Sequence, residues 1–158
     1  MLRLRPYKPC DAEKIVSWCQ NEKTFHQWGG DYLGSYPIDA ALMNHVYFEK
    51  NGNCAEADNF YPMTAFDEEG PCGHFIMRYI HGDRRILRFG WVIVAPDRRG
   101  KGYGKEMLLK GIQFAKEIYQ ADRFSIGVFA ENAPAHACYA SVGFKDIKTV
   151  NGVIEMEL

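Results

Sequence analysis

Residues 97–104 read DRRGKGYG, and KEMLLKGIQFAKEIY follows at once. Glycines at 100, 102 and 104 alternate with basic residues at 99, 101 and 105, directly ahead of a stretch with helical period. A helix N-terminus leaves backbone N–H groups unpaired and carries a partial positive charge. Glycines there let the backbone approach a ligand closely and adopt positive φ. The chemistry this suits is anion binding, phosphate above all, with Arg99, Lys101 and Lys105 adding charge-assisted contacts. The competing reading is a plain glycine-rich turn carrying solvated lysines.

Two familiar phosphate motifs fail on spacing. A P-loop begun at Gly100 needs glycine at 105, where Lys105 stands. The dinucleotide fingerprint needs glycine at 105 or 107, and the chain has Lys105 and Met107. Residues 84–110 hold eight Lys/Arg against two Asp/Glu, a local +6, while the whole chain carries −1 and the remainder therefore −7. That balance excludes a globally basic nucleic-acid binder and suits a small anionic ligand.

A second group of candidates lies in ENAPAHACYASVGF, residues 131–144. Asn132 can cap a helix ahead of Pro134 or bind a ligand. Tyr139 offers a hydroxyl, or is an amphipathic core residue. Cys138 has no histidine partner suggested by spacing and reads as an inert thiol. The five cysteines, at 10, 19, 54, 72 and 138, include no C-x-x-C pair, and the five histidines show no H-E-x-x-H spacing. Free thiols, no structural metal and a cytoplasmic setting are expected. The start has no continuous apolar h-region and no run is long enough to span a bilayer, so neither a signal peptide nor a membrane anchor is expected.

These residues must be held by elements the pattern makes visible. LRLRPY (2–7) alternates as a strand. Asp11 caps a helix to about Asn21, a short helix covers 22–28, and Pro37 opens a helix to about Glu49. Strands follow at 60–67 and 72–80 around a turn at Glu68–Gly70, then at 85–95 after HGDR. A helix over 102–119 carries Met107, Leu108, Ile112, Ala115 and Ile118 on one face. A strand at 123–130, a helix at 133–142 and a hairpin turning on Asn151–Gly152 close the chain. The 158 residues read as one α/β domain spanning 1–158, with helices on the faces of a mixed sheet.

Together, Arg99-x-x-Gly102-x-Gly104 after the strand FGWVIVAP, and ENAPAHACYASVGF about 28 residues on, resemble the GNAT superfamily of N-acetyltransferases. The resemblance is strong over residues 60–158 and holds only in element order before them. It implies a mostly antiparallel sheet of about seven strands, splayed at its middle and flanked by four or five helices. It implies acetyl-CoA as acyl donor, no metal, and transfer to a primary amine of a small molecule or peptide in a ternary complex. The main chain of Val92, Ile93 and Val94 would bind pantetheine, with an N–H near Val92 serving the thioester carbonyl. Amides of Gly100, Lys101, Gly102, Tyr103, Gly104 and Lys105 would bind pyrophosphate, Asn132 would bind pantetheine or simply cap its helix, and Tyr139 would be the general acid.

The general base does not transfer. Ribosomal-protein alanine acetyltransferase relatives place a glutamate five residues before the asparagine, where this chain has Gly127. Others use an acid on the strand before the loop, where it offers Arg88. Glu49, Asp67 and Glu68 remain as acids, each reading as solvated surface. Acceptor choice would fall to residues 25–61, with Phe25, Trp28, Tyr32, Tyr36, Tyr47, Phe48, Phe60 and Tyr61, half or more of them core, and Asp31, Asp39 and Glu49 to attract a cationic amine. A non-catalytic acyl-CoA-binding module is the alternative. A homodimer through a free sheet edge is compatible with such a fold.

Overall fold

A computed structural model describes residues 1–53 and 58–158, with the side chains of 30, 31 and 51–53 outside the description. The side chain of Asp31 and the whole of Cys54 lie outside the description. One seven-stranded sheet organises the chain in the order β1-β2-β3-β4-β5-β7-β6. Its strands are β1 (Arg3–Pro6), β2 (Tyr61–Asp67), β3 (Gly70–Ile80), β4 (Asp83–Val94), β5 (Arg123–Phe129), β6 (Lys145–Val150) and β7 (Val153–Glu157). Every neighbouring pair is antiparallel except β4 with β5. Among the described residues five α-helices flank it: α1 (Ala12–Ser17), α2 (Glu22–Trp28), α3 (Ala40–Asn53), α4 (Tyr103–Ile118) and α5 (Ala133–Val142). Among the described residues no helix is long and apolar enough to cross a membrane.

The β5-to-β6 crossover and the β4-to-β5 crossover each carry one helix, as a chain must when it returns to the sheet in a fixed direction. The turn at Asn151–Gly152 has φ of 51° and 76°, the paired left-handed geometry of a tight hairpin. On one face α4 buries Met107, Leu108, Ile112 and Ala115. Gly111 sits directly over the aromatic floor: a Cβ there would lie 2.8 Å from Phe75 and 2.9 Å from Phe89. Ile118, expected on this face, is exposed because α4 ends there and the chain turns away at Gln120, φ 58°.

The N-terminal third departs most from expectation. Asp11 does not cap α1; its carboxylate is buried and receives Arg5 at 2.7 Å, the Lys8 N–H at 2.9 Å and the Thr64 hydroxyl at 2.9 Å. Helix α1 stops at Ser17 rather than Asn21, and the Trp18 carbonyl is taken by Arg99 at 3.2 Å. Pro37 does not open α3. It follows a cis Tyr36–Pro37 bond, and Asp39 caps the helix instead, accepting the Leu42 N–H at 2.8 Å.

Candidate active site

The site grows from the place where the sheet comes apart. Strands β4 and β5 pair only from Ile86↔Arg123 to Phe89↔Ile126. Beyond that point Gly90–Val94 and Gly127–Phe129 no longer pair with each other, each keeping only its outer neighbour, β3 or β7, so the two central strands open as a fork. The opening coincides with a bulge in β4. His74 pairs with Ile93 and Ile76 with Gly90, which leaves Phe75 facing two residues, Trp91 and Val92. Trp91 takes φ 48°, rare for a bulky side chain, so the surroundings must hold it.

They do so from several sides. The Trp28 indole N–H donates to the Trp91 carbonyl at 3.0 Å, and the Trp91 ring stacks on Tyr47 at 5.5 Å and meets Phe60 edge-on. Two residues earlier on α2, the His26 ring stacks on Phe129 of β5 at 4.6 Å. Helix α2 therefore touches both arms of the fork and covers it on one face. Of the eight aromatic residues expected around an acceptor, Phe25, Trp28, Tyr47 and Phe60 are core. Tyr61 stacks instead on Tyr119, and Tyr32, Tyr36 and Phe48 are exposed.

The glycine-rich loop lies at the end of β4, beyond the fork. Gly100 and Gly102 have φ of 71° and 84°, which is why glycine stands there. The first helical bond of α4 runs from the Glu106 N–H to the Gly102 carbonyl at 3.0 Å. The amides of Tyr103, Gly104 and Lys105 are thus left without intrahelical partners. Gly104 allows a close approach, since a Cβ there would meet the Cys138 sulfur at 3.1 Å. Lys101 and Lys105 are exposed, and among the described residues neither forms an ion pair. Free amides beside two such ammonium groups fit a pyrophosphate.

The expected basic cluster is otherwise dispersed. Arg99 points its guanidinium at backbone, with Nε on the Val94 carbonyl at 2.9 Å and Nη2 on Trp18. It braces the loop against β4 and α1 and occupies one of the carbonyls of the 92–94 segment. Arg98 is held by Asp67, Glu69 and Asp97 at 3.1, 2.6 and 2.5 Å. The Tyr103 hydroxyl donates to Asp67 at 3.2 Å, so only its amide is available to a ligand. Arg85 pairs with Asp83 at the opposite end of β4.

Asn132 caps α5, accepting the Ala135 N–H on Oδ1 at 3.4 Å, which leaves its amide N–H groups available. Tyr139 is 7% exposed, and its hydroxyl has no hydrogen-bond partner among the described residues. Burial, reinforced by Cys138, pushes that hydroxyl above its ordinary pKa, so it carries its proton at neutral pH. Burial likewise raises the Cys138 thiol, only partly opposed by Lys105, and keeps it protonated.

Asp67 is not solvated surface; it is buried under Arg98 and Tyr103. Glu68 is exposed and bound to the Met1 amino group at 2.7 Å. The carboxylate beside Gly127 is Glu155, which β7 places directly across from it in register. Glu155 is bound by Arg88 at 2.6 and 3.2 Å, and Arg88 also donates to Ser125 at 2.8 Å. The sequence signal was the alternation of VIEMEL, but alternation does not say which strand β7 joins.

A sheet parted between its parallel central strands, with a helix N-terminal cradle at the end of the first, defines an acyl-CoA-dependent acyltransferase architecture. The chain matches the family described as Acetyltransferase (GNAT) domain over residues 1–145, and it belongs to that family. It is an acetyltransferase, with acetyl-CoA as the family's acyl donor. It is 25% identical to an N-acetyltransferase 9-like protein of Caenorhabditis elegans, over 91% of this chain and 75% of that one. A protein of the same description in Caenorhabditis briggsae is 24% identical over 91% of this chain and 74% of its own. Among solved structures, a Vibrio cholerae spermidine N-acetyltransferase in complex with CoA and spermine superposes with TM-score 0.77 at 18% identity, over 99% of this chain and 94% of that one. At that identity the likeness is one of fold.

Proposed function

We propose that this chain transfers an acetyl group from acetyl-CoA directly to a primary amine, on a small molecule or a peptide, within a ternary complex. The observation that carries the reading is the fork at Phe89/Ile126 with its amide-lined cradle at the end of the same strand. Acetyl-CoA supplies an activated acyl group on a thiolate leaving group. The amides of Gly100 to Lys105, with Lys101 and Lys105, hold its pyrophosphate. Main-chain groups of Val92, Ile93 and Val94 align the arm, with Arg99 bracing rather than binding. Asn132 holds the start of α5 and offers its free amide N–H groups to the arm. A backbone N–H near Val92 stabilises charge on the thioester oxygen, a contribution of roughly 3–4 kcal/mol where a donor is well placed.

Tyr139, kept protonated by burial, gives its proton to the departing thiolate. The amine must arrive at or become its neutral form, since a lysine-like amine has a pKa of about 10.4. Helix α2 and the 25–61 segment supply the acceptor side. The test is thiol release from acetyl-CoA over a panel of cationic and neutral primary amines, with thermal shift by acetyl-CoA, CoA and ATP alongside. Amine-dependent release with stabilisation by the two CoA species and not by ATP is expected. Stabilisation by acetyl-CoA with no release on any amine would favour the binding-module alternative.

A further inference from the structure

The fork is floored by a charged cluster. Arg88 on β4, Ser125 on β5 and Glu155 on β7 join across three adjacent strands, at the last paired rungs before β4 and β5 separate. The two charged side chains are 22% and 28% exposed, so they are neither core nor open surface. A Cβ at Gly127 would lie 2.5 Å from Arg88 Nη2 and 3.2 Å from Val153 Cγ1, so a side chain there would have to displace the guanidinium. Arg88 thus fills the space a side chain on residue 127 would need, and the carboxylate is supplied by the neighbouring strand.

We propose that Glu155 is the acceptor-side carboxylate of the reaction, with Arg88 and Ser125 as the residues that position it. An ion pair kept only for stability is a weak explanation, because partly buried pairs return little net free energy once desolvation is counted. A carboxylate at this site has a chemical use. The amine nitrogen forms a C–N bond to the acetyl carbon, and the C–S bond breaks with its electron pair leaving on the CoA sulfur. The proton lost by nitrogen goes to Glu155, directly or through one water, and then to solvent. The two Arg88 hydrogen bonds occupy one lone pair on each Glu155 oxygen and leave the others for the amine. The Arg88 cation next to them disfavours the ammonium form of the bound acceptor.

This inference rests on the acetyl-transfer reading, and the two fail differently. A wild-type chain with no amine-dependent thiol release overturns both, whereas an active wild type with an equally active E155Q variant overturns this one alone. The expected result for Glu155→Gln is a kcat lowered by a hundredfold or more. Its KM for acetyl-CoA, and acetyl-CoA affinity by calorimetry, should stay within threefold. Arg88→Gln breaks the same ion pair but keeps the carboxylate, and should lower kcat only about tenfold. Glu157→Gln, on the same strand outside the cluster, should leave turnover unchanged. Formate added to Glu155→Ala should restore part of the lost rate. Should Glu155→Gln not fold, Glu155→Asp carries the test through its kcat against an unchanged acetyl-CoA affinity. Equal losses of turnover and melting temperature in the Arg88 and Glu155 variants, with no formate rescue, would mark the cluster as a structural clip and overturn the proposal.

Discussion

The Trp28 indole N–H donates to the Trp91 carbonyl at 3.0 Å, tying α2 to the left-handed residue where the fork opens. A left-handed φ on tryptophan stands only while its neighbours over-determine it. Phenylalanine at 28 would keep most of the packing and remove the bond, leaving a part-buried carbonyl unsatisfied. The Trp28→Phe variant should lose about 1–3 kcal/mol in urea unfolding. If the bulge aims the Val92 N–H at the thioester, kcat should drop by roughly tenfold to a hundredfold, with acetyl-CoA affinity unchanged. A destabilised variant with wild-type kcat would make the bond purely structural.

The cradle makes two separable predictions. Gly102 has φ 84° with nothing within 4 Å of a would-be Cβ, so alanine there meets a backbone cost without a clash. Gly102→Ala should lose about 1 kcal/mol of stability and bind acetyl-CoA at least tenfold more weakly, as read by titration calorimetry. The two unpaired lysines act through charge that salt screens over about 8–10 Å. Acetyl-CoA affinity of the wild type should therefore fall with added salt. The double variant Lys101→Ala, Lys105→Ala should bind more weakly and show a flatter salt dependence.

Much of this fold can be read along the chain because its signals are local. The hairpins at Glu68–Gly70 and Asn151–Gly152, the period of α4 and the glycines ahead of it all depend on neighbours within a few residues. What could not be read is non-local. Residue Asp11 looks like a cap until Thr64 and Arg5 are brought to it across the sheet. Likewise, Arg99 looks like a phosphate ligand until the carbonyls of Val94 and Trp18 are in reach. The position of Gly127 looks empty of charge until β7 is placed beside β5 with Glu155 opposite. Each of these positions has a partner distant in sequence, Thr64 for Asp11, Trp18 for Arg99 and Glu155 for Gly127, which no local period encodes.

Gly111 tests the packing of α4 without touching the fork. An added Cβ would stand under 3 Å from the rings of both Phe75 and Phe89, which are fully buried and cannot swing aside. Alanine favours helix by about 1 kcal/mol over glycine, so propensity and packing oppose each other here. Overpacking of this severity costs about 1–3 kcal/mol and should win. Gly111→Ala is expected to lower the urea midpoint while turnover per folded molecule stays at the wild-type value. A stabilised variant would mean that the two rings yield more readily than their burial suggests.

His74 gives the fold a pH dependence of predictable sign. Its ring is fully buried on β3, with Nε2 2.6 Å from the Tyr47 hydroxyl and Nδ1 without a partner of good geometry. Burial drives its pKa down to about 3, and a nearby backbone group of Met63 offsets only part of that. Burial raises the Tyr47 hydroxyl, so it stays protonated and can donate to Nε2. In the unfolded chain the ring titrates near 6.5. Below that pH the unfolded state takes up a proton that the folded state refuses, so stability is complete above about 6.5 and falls as the pH drops toward 3. The slope approaches about 1.4 kcal/mol per pH unit for one proton. Urea unfolding between pH 7 and 4.5 should show this decline, in a window above the range where carboxylates such as Asp11 titrate. His74→Gln keeps an acceptor for Tyr47 and carries no charge, so its stability should be lower at pH 7 but nearly flat over the window. An undiminished slope in that variant would assign the pH dependence to other groups.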